Sequence, residues 1–266
     1  EWVQRRYSVL LDPQKNILAL NGTREGLYNS LIALCPEQKN SSRPIVMVPN
    51  PFYQVYMASS LTVNAEPYFV EALPQNNHLP NFSAVPTDIL QRTAAVYLCS
   101  PSNPQGAVAT MEYWIELLKL AEQYDFIIFA DECYSEIYRD RAPVGALEAL
   151  NKIEADPERL VVFHSLSKRS NLPGLRSGFL ATGPENLKRL SQLKSYGGAP
   201  LPKPLQYAAA AVWKDEKHVK ENRKLYAAKY KIADDILSGL DGYTSPEAGF
   251  FLWIAVQDSE KTTVDL

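Results

Sequence analysis

The chain has 266 residues and a formal net charge of −3, from 27 Lys and Arg against 30 Asp and Glu. This near balance leaves no electrostatic footprint for nucleic acid, and no Lys/Arg run marks a membrane surface. Hydrophobic residues at 46% and charged residues at 21% are ordinary for a soluble globular enzyme with one large domain and part of a second.

Trp2, Arg5, Arg6 and Tyr7 read as the tail of a helix, with no signal peptide ahead of them. Ile17 to Leu20 reads as a strand leading through Asn21-Gly22-Thr23-Arg24-Glu25 into a helix that runs to about Leu34, capped by Asn21 or Thr23. Pro44 to Val48 is expected as a strand, Pro49-Asn50-Pro51 as a turn, and the stretch through Met57 as a short helix. Strand character returns at Leu61 to Asn64 and at Pro67 to Glu71, followed by a polar connection from Pro74 to Pro86. Ala94 to Cys99 and Phe126 to Ala130 are continuous apolar runs of buried-strand type, separated by helical spacing from Met111 to Tyr124. Leu160 to Phe163 and Gly178 to Ala181 add two further strands. Leu205 to about Leu240 is mostly helical, with Trp213 to Asn222 as a solvated charged face, and Phe250 to Val256 reads as a strand needing partners. Both ends read as cut, so the sequence is expected to be an internal piece of a longer protein. Strands alternating with helices predict an α/β fold, a mainly parallel sheet sandwiched by helices. No apolar stretch approaches the length of a spanning helix.

In open α/β sheets ligands bind beyond the carboxyl ends of strands, so polar clusters there carry weight. Asp131 follows the run Phe126 to Ala130; a carboxylate there either holds a cationic ring nitrogen or caps a helix. Tyr134, three residues on, either points into the same pocket or packs. Ser100-Pro101-Ser102-Asn103-Pro104-Gln105-Gly106 is a rigid loop or an ordinary turn, in which Asn103 offers both a donor and an acceptor. Asn103-Pro104 is a candidate cis peptide. Ser165-Leu166-Ser167-Lys168 follows the run Leu160 to Phe163. A lysine buried among hydroxyls loses proton affinity and becomes nucleophilic, whereas a lysine on a surface loop does neither. Gly22-Thr23 at a helix N-terminus, Ser165 and Arg176 together would make a dianion site. No Walker or Rossmann glycine pattern is present, which argues against a nucleoside triphosphate or NAD. His78, His164 and His218 have no metal-ligand spacing, and His164 either lines the site or is a core or loop histidine. Cys35, Cys99 and Cys133 lie far apart and odd in number, which argues for a reducing, cytoplasmic setting and against a disulfide framework or a zinc site.

Taken in order, Gly22-Thr23, Pro51-x-Tyr53-x-x-Tyr56, Asn103-Pro104-x-Gly106, Asp131-x-x-Tyr134, Ser165-x-Ser167-Lys168 and Arg176 resemble the class I/II aminotransferases, fold type I enzymes that use pyridoxal 5′-phosphate. The resemblance covers essentially the whole chain. It implies that Lys168 carries the cofactor as a Schiff base and is the catalytic acid/base. It implies that Asp131 holds the ring nitrogen, that Asn103 and Tyr134 bond the ring 3-oxygen, and that Tyr53 stacks on the ring. Gly22, Thr23, Arg24, Ser165, Ser167 and Arg176 would hold the phosphate. By the same resemblance, residues 1–205 form a large cofactor-binding domain lacking its N-terminal segment, and 206–266 form an interdomain helix and the start of a small C-terminal domain.

Asn21 to Glu25, Pro49 to Tyr56, Asp131 to Tyr138 and His164 to Asn171 are similar to the proteobacterial succinyldiaminopimelate aminotransferases. These exchange an amino group between glutamate and N-succinyl-2-amino-6-oxopimelate in lysine biosynthesis. On that reading Arg24 and Arg169 are candidate anchors for the extra carboxylates. The family's C-terminal substrate arginine and its N-terminal closing segment have no match here, so the piece is expected to hold the cofactor site without a complete substrate site. The implied partners are amino-acid and 2-oxo-acid substrates and a second copy in a homodimer, with neither nucleic acid nor membrane. Two rivals share these residues: a carbon–sulfur lyase or decarboxylase of the same fold, and an aminotransferase-like domain of a transcriptional regulator.

Overall fold

The structure is a computed structural model and describes residues 1–255. Among the described residues seven strands form one sheet: β1 (Ile17–Leu20), β2 (Ile45–Asn50), β3 (Glu66–Glu71), β4 (Thr93–Cys99), β5 (Ile127–Asp131), β6 (Leu160–Ser165) and β7 (Gly178–Thr182). Their order is β1-β7-β6-β5-β4-β2-β3. The β3–β2–β4–β5–β6 pairings are parallel, and β7 runs antiparallel to both of its neighbours. The fold is therefore the mainly parallel α/β sheet that the alternation of elements predicted.

The helices are α1 (Trp2–Tyr7), α2 (Pro13–Asn16), α3 (Thr23–Leu34), α4 (Gln54–Thr62), α5 (Thr87–Arg92), α6 (Met111–Tyr124), α7 (Ala146–Ile153), α8 (Leu166–Arg169), α9 (Pro184–Gly197), α10 (Lys203–Lys214) and α11 (Lys217–Leu237). Both faces of the sheet are covered. Every residue of β4 is buried. Alternation along that strand sends Val96 and Leu98 to one apolar cluster and Ala95 and Tyr97 to the other. The first cluster packs on α6, whose Trp114, Leu117, Leu118 and Ala121 recur at helical spacing. Thr110 caps that helix by accepting from the Tyr113 N–H at 3.2 Å. The second cluster packs on α3 and α4 through Leu27, Leu31 and Tyr56. Burying side chains of this size contributes about 1.5–3 kcal/mol each, which fixes the register of the central strands and hence where each strand ends.

Several elements differ from the sequence expectation. Leu61 to Asn64 is the last turn and exit of α4, ended by Asn64 at φ 54°, not a strand. Its β-branched Thr62 and Val63 imitate strand composition, but the backbone N–H of Val63 still bonds to Ser59 O at 3.3 Å. The start of α3 is not capped by a side chain: Gly22 occupies the N-cap position, and the Asn21 N–H goes to the Glu25 carboxylate at 2.7 Å. Helices α7 and α9 have no counterpart in the sequence reading; in α9 only Asn186, Leu187 and Leu190 are buried, too few to make a visible stripe. Trp213 to Asn222 is not one solvated face, because the chain breaks at Asp215 and Glu216 between α10 and α11, and Val219 is buried. Among the described residues Phe250 to Ala255 carries one bridge, Tyr243 with Ile254, in place of the expected strand, and Val256 lies outside the described residues. The expected division between 205 and 206 falls in the first turn of α10. No helix among the described residues is long and apolar enough to cross a membrane.

Candidate active site

The carboxyl ends of β4, β5 and β6 and the N-terminus of α3 surround a cavity of about 510 Å³. Thr23, Arg24, Tyr53, Asn103, Asp131, Tyr134, Ser165, Ser167, Lys168 and Arg176 all line it. Gly22 does not line it but backs its Arg176 wall.

Asp131 is the last residue of β5 and is 5% exposed. Its Oδ2 accepts from the Tyr56 phenol at 2.8 Å and its Oδ1 from the Cys133 N–H at 3.3 Å. Burial pushes the Asp131 carboxyl up, while these bonds and the charge of Lys168 oppose the rise. The loop after β4 is braced by its own serines: Ser100 Oγ accepts from the Ala109 N–H and Ser102 Oγ from the Ala107 N–H, each at 2.9 Å. Asn50-Pro51, Ser100-Pro101 and Asn103-Pro104 are cis. Gly106 is left-handed at φ +74°, and a Cβ there would stand 2.6 Å from Ala248 O, so the loop needs glycine to reach the 246–249 segment. The braced loop presents Asn103 to the cavity.

Lys168 lies on the single turn α8 that follows β6, with Ser165 as the cap accepting from the Ser167 N–H at 3.0 Å. Its amine stands 4.8 Å from the Phe250 ring centroid and 5.8 Å from that of Tyr134. Among the described residues it makes no hydrogen bond or ion pair. Arg176 is left-handed at φ 53° and donates from Nη1 to Pro173 O at 2.9 Å and from Nη2 to Asn21 O at 3.3 Å. A Cβ on Gly22, itself at φ +86°, would lie 2.1 Å from Arg176 Nη2. Arg24 Nε donates to the Tyr53 hydroxyl at 2.7 Å.

The cavity also holds residues that sequence reasoning left without a role. Tyr56 was visible in the Pro51-x-Tyr53-x-x-Tyr56 pattern, yet its bond to Asp131 depends on how α4 packs on the sheet. Cys133 is paired with Thr23 Oγ1 at 3.1 Å, and burial pushes its thiol up. Phe251 closes the side nearest residues 246–249. Arg169, expected as a carboxylate anchor, is elsewhere. Arg169 is 2% exposed and bonded to Val212 O, Asp215 O and Glu216, so it faces the α10–α11 junction and cannot anchor a ligand in the cavity. One residue along a helix turns the side chain by about 100°, which carries Arg169 away from the direction of Lys168. Of the two readings of His164 the core one holds: it is 1% exposed and packs among Trp2, Tyr7 and Phe179 on the face of the sheet opposite α3. Among the described residues no group of His, Cys, Asp or Glu is arranged to hold a metal ion.

Comparison with known proteins gives these positions a family context. The model of the family "Aminotransferase class I and II" matches residues 1–265. The LL-diaminopimelate aminotransferase of Moorella thermoacetica is 32% identical over 260 residues, 96% of this chain and 64% of that protein. That of Desulforudis audaxviator is 32% identical over 259 residues, 96% and 64% of the two chains. The chain thus spans 64% of the length of these curated relatives. Among solved structures, an aminotransferase from Neisseria meningitidis superimposes with a TM-score of 0.91 at 38% identity, covering 97% of this chain and 65% of that one. A probable N-succinyldiaminopimelate aminotransferase from Thermus thermophilus gives 0.85 at 27% identity, covering 97% and 67%.

Proposed function

The chain belongs to the class I and II aminotransferases, and we propose that it is the cofactor-binding part of an aminotransferase acting in diaminopimelate and lysine biosynthesis. Enzymes of this family depend on pyridoxal 5′-phosphate. The observation that carries the reading is an amine without a polar partner among the described residues, Lys168, sharing one cavity with a buried carboxylate, Asp131, and a guanidinium, Arg176.

These residues fit the cofactor. The amide of Asn103 and the hydroxyls of Tyr134 and Ser167 make no side-chain hydrogen bond among the described residues, which leaves donors facing the cavity. Gly22 leaves room for the guanidinium of Arg176 beside the first turn of α3, where free backbone N–H groups and the helix dipole favour a phosphate. Thr23, Arg24, Ser165 and Ser167 complete that end, and Tyr53 offers a ring face beside it.

In the proposed mechanism Lys168 Nζ would hold the cofactor and would act as the general acid/base of a 1,3-proton shift, taking the proton from the substrate Cα and delivering that same proton two atoms away. The bound cofactor supplies an electron sink for the carbanionic charge. Asp131, whose ionised form is favoured by the bonds from Tyr56 and the Cys133 N–H against the burial that pushes its carboxyl up, would pair with a ring nitrogen cation. Asn103 and Tyr134 would hold the ring oxygen, and Phe251 lines the same cavity. The bond broken depends on which substituent stands perpendicular to the ring, so these residues define the sink and not the substrate.

The names of the relatives support a diaminopimelate-type substrate, and the motif resemblance supports its N-succinyl form, with glutamate and 2-oxoglutarate as the exchanging pair. Arg24, beside the cavity mouth, is the candidate anchor for an additional carboxylate. We assign residues 1–205 to the large domain and 206–266 to the interdomain helix and the start of a small domain, and expect a homodimer. The test is to give the full-length protein glutamate with N-succinyl-2-amino-6-oxopimelate, and separately LL-diaminopimelate with 2-oxoglutarate, and to measure amino transfer. Transfer with the first pair supports the succinyl form, and transfer with the second alone supports the free diamine. Release of pyruvate and ammonia from a cystine-like substrate without transfer from either pair contradicts the reading.

A further inference from the structure

The three residues that follow Lys168 all bond to the junction between α10 and α11 or to the first turns of α11. Arg169 donates from Nη1 to Val212 O at 3.2 Å and from Nη2 to Asp215 O at 3.4 Å. Both carbonyls belong to the C-terminal end of α10, where a cation is favoured by the helix dipole. Nη2 also reaches Glu216 Oε1 at 2.8 Å, and the guanidinium lies 5.0 Å from the Trp213 ring and 5.6 Å from the Trp2 ring. Ser170 Oγ accepts from Arg169 Nη1 at 3.1 Å and pairs with His218 Nε2 at 2.8 Å. The other nitrogen of that ring pairs with Asp215 Oδ2 at 2.6 Å. Asn171 Nδ2 donates to Asn222 Oδ1 at 2.6 Å.

Helix α8 has four residues, too few to stabilise itself, so the direction of the Lys168 side chain is set by what its neighbours are fastened to. On one side Leu166 is fully buried; on the other stands the Arg169–Ser170 attachment. Helix α11 also reaches the opposite wall of the lysine pocket. Tyr226 stacks on Phe250 at 6.0 Å between centroids, and the Tyr230 hydroxyl donates to Gly249 O. One helix therefore contacts the support of Lys168 and the aromatic side chain that covers its amine.

We propose that Arg169 is a positioning residue for Lys168: it fastens the lysine-bearing turn to the α10–α11 junction, so that the orientation of α11 sets where the amine stands in the cavity. This rests on the cofactor reading above. It differs from the carboxylate-anchor role expected for Arg169 from the sequence, because the guanidinium contacts no cavity and acts only through the next residue.

Arg169→Met tests it. Glu216 keeps 36% side-chain exposure, so loss of its partner strands no buried charge, and a methionine stem fills the same space. Amide hydrogen exchange on the cofactor-free, full-length protein should rise both in 166–171 and in 212–218. In the cofactor-loaded protein kcat should fall about tenfold with KM within about twofold, and the pH midpoint of the lysine-bound absorption should move. Arg169→Lys should recover part of each change, and Ser170→Ala, which keeps the guanidinium, should show the same changes at smaller size. Exchange that rises in 212–218 alone, or an unaltered kcat and midpoint in Arg169→Met, overturns the proposal. Failure of the cofactor reading looks different: the unsubstituted protein shows no Lys168-dependent absorption, and the exchange pattern still decides whether the junction controls 166–171.

Discussion

The phenol of Tyr56 donates to Asp131 Oδ2 at 2.8 Å inside the core, with the Tyr56 ring stacked on Tyr97 at 4.4 Å between centroids. The stack fixes the phenol, and the phenol fixes the carboxylate at the end of β5. A bond to a charged acceptor is worth about 1.5–3 kcal/mol, enough to offset part of the burial that drives the Asp131 carboxyl towards its neutral form. Tyr56→Phe should therefore weaken pyridoxal 5′-phosphate binding about tenfold. Titration of the apo protein followed by absorbance checks this, and unchanged affinity would mean that the Tyr56 bond does not support the role of Asp131.

Gly22 leaves the space in which the Arg176 guanidinium stands. Alanine there meets Arg176 Nη2 at 2.1 Å and is strained at φ +86° as well. Gly22→Ala should weaken binding of pyridoxal 5′-phosphate by about tenfold or more while leaving pyridoxal itself little changed, since the loss falls on the phosphate contact. Equal losses for both ligands would show a general collapse instead.

Stability should depend on pH through a buried group outside the cavity. Glu132 is 2% exposed, with Oε1 accepting from the Ala146 N–H at 2.6 Å and Oε2 from Tyr7 at 3.0 Å. Burial outweighs these bonds and pushes its carboxyl up to about 7. The folded chain then holds a proton that the unfolded chain releases near pH 4.5, so stability from this group is present at low pH and lost as pH rises towards 7. His164 has the opposite sign. Burial and Arg6 push it down to about 3, so its contribution is present above its ordinary value of 6.5 and is lost as pH falls towards 3. Glu132→Gln removes the first effect and keeps His164, whose Nε2 stands 3.5 Å from Glu132 Oε2. Urea unfolding at pH values of about 5 and 7.5 should show the variant gaining on the order of 2 kcal/mol over the unsubstituted protein as pH rises. Parallel pH profiles would contradict this.

Much of the sheet was legible because buried parallel strands appear as short apolar runs bounded by Pro, Gly and polar residues. Ala94 to Cys99 and Leu160 to Phe163 lie within the strands observed. The polar residues after those runs face one cavity because parallel strands in one sheet end at the same edge, a property of the topology and not of any one motif. Direction within a turn was not legible. Lys168 and Arg169 are adjacent, yet one faces the cavity and the other the α10–α11 junction, and only the rotation of α8 separates them. Tyr56 was equally out of reach, since its acceptor is 75 residues away. Helix α9 escaped notice because its charged residues outnumber the Leu187 and Leu190 that it buries.

The central claim is that Lys168 carries the cofactor, and absorbance of the full-length Lys168→Ala variant loaded with pyridoxal 5′-phosphate tests it most directly. Loss of the lysine-bound absorption and of turnover is the predicted result, with the cofactor still held through Arg176 and the first turn of α3. A lysine-bound absorption that persists in the variant would contradict it.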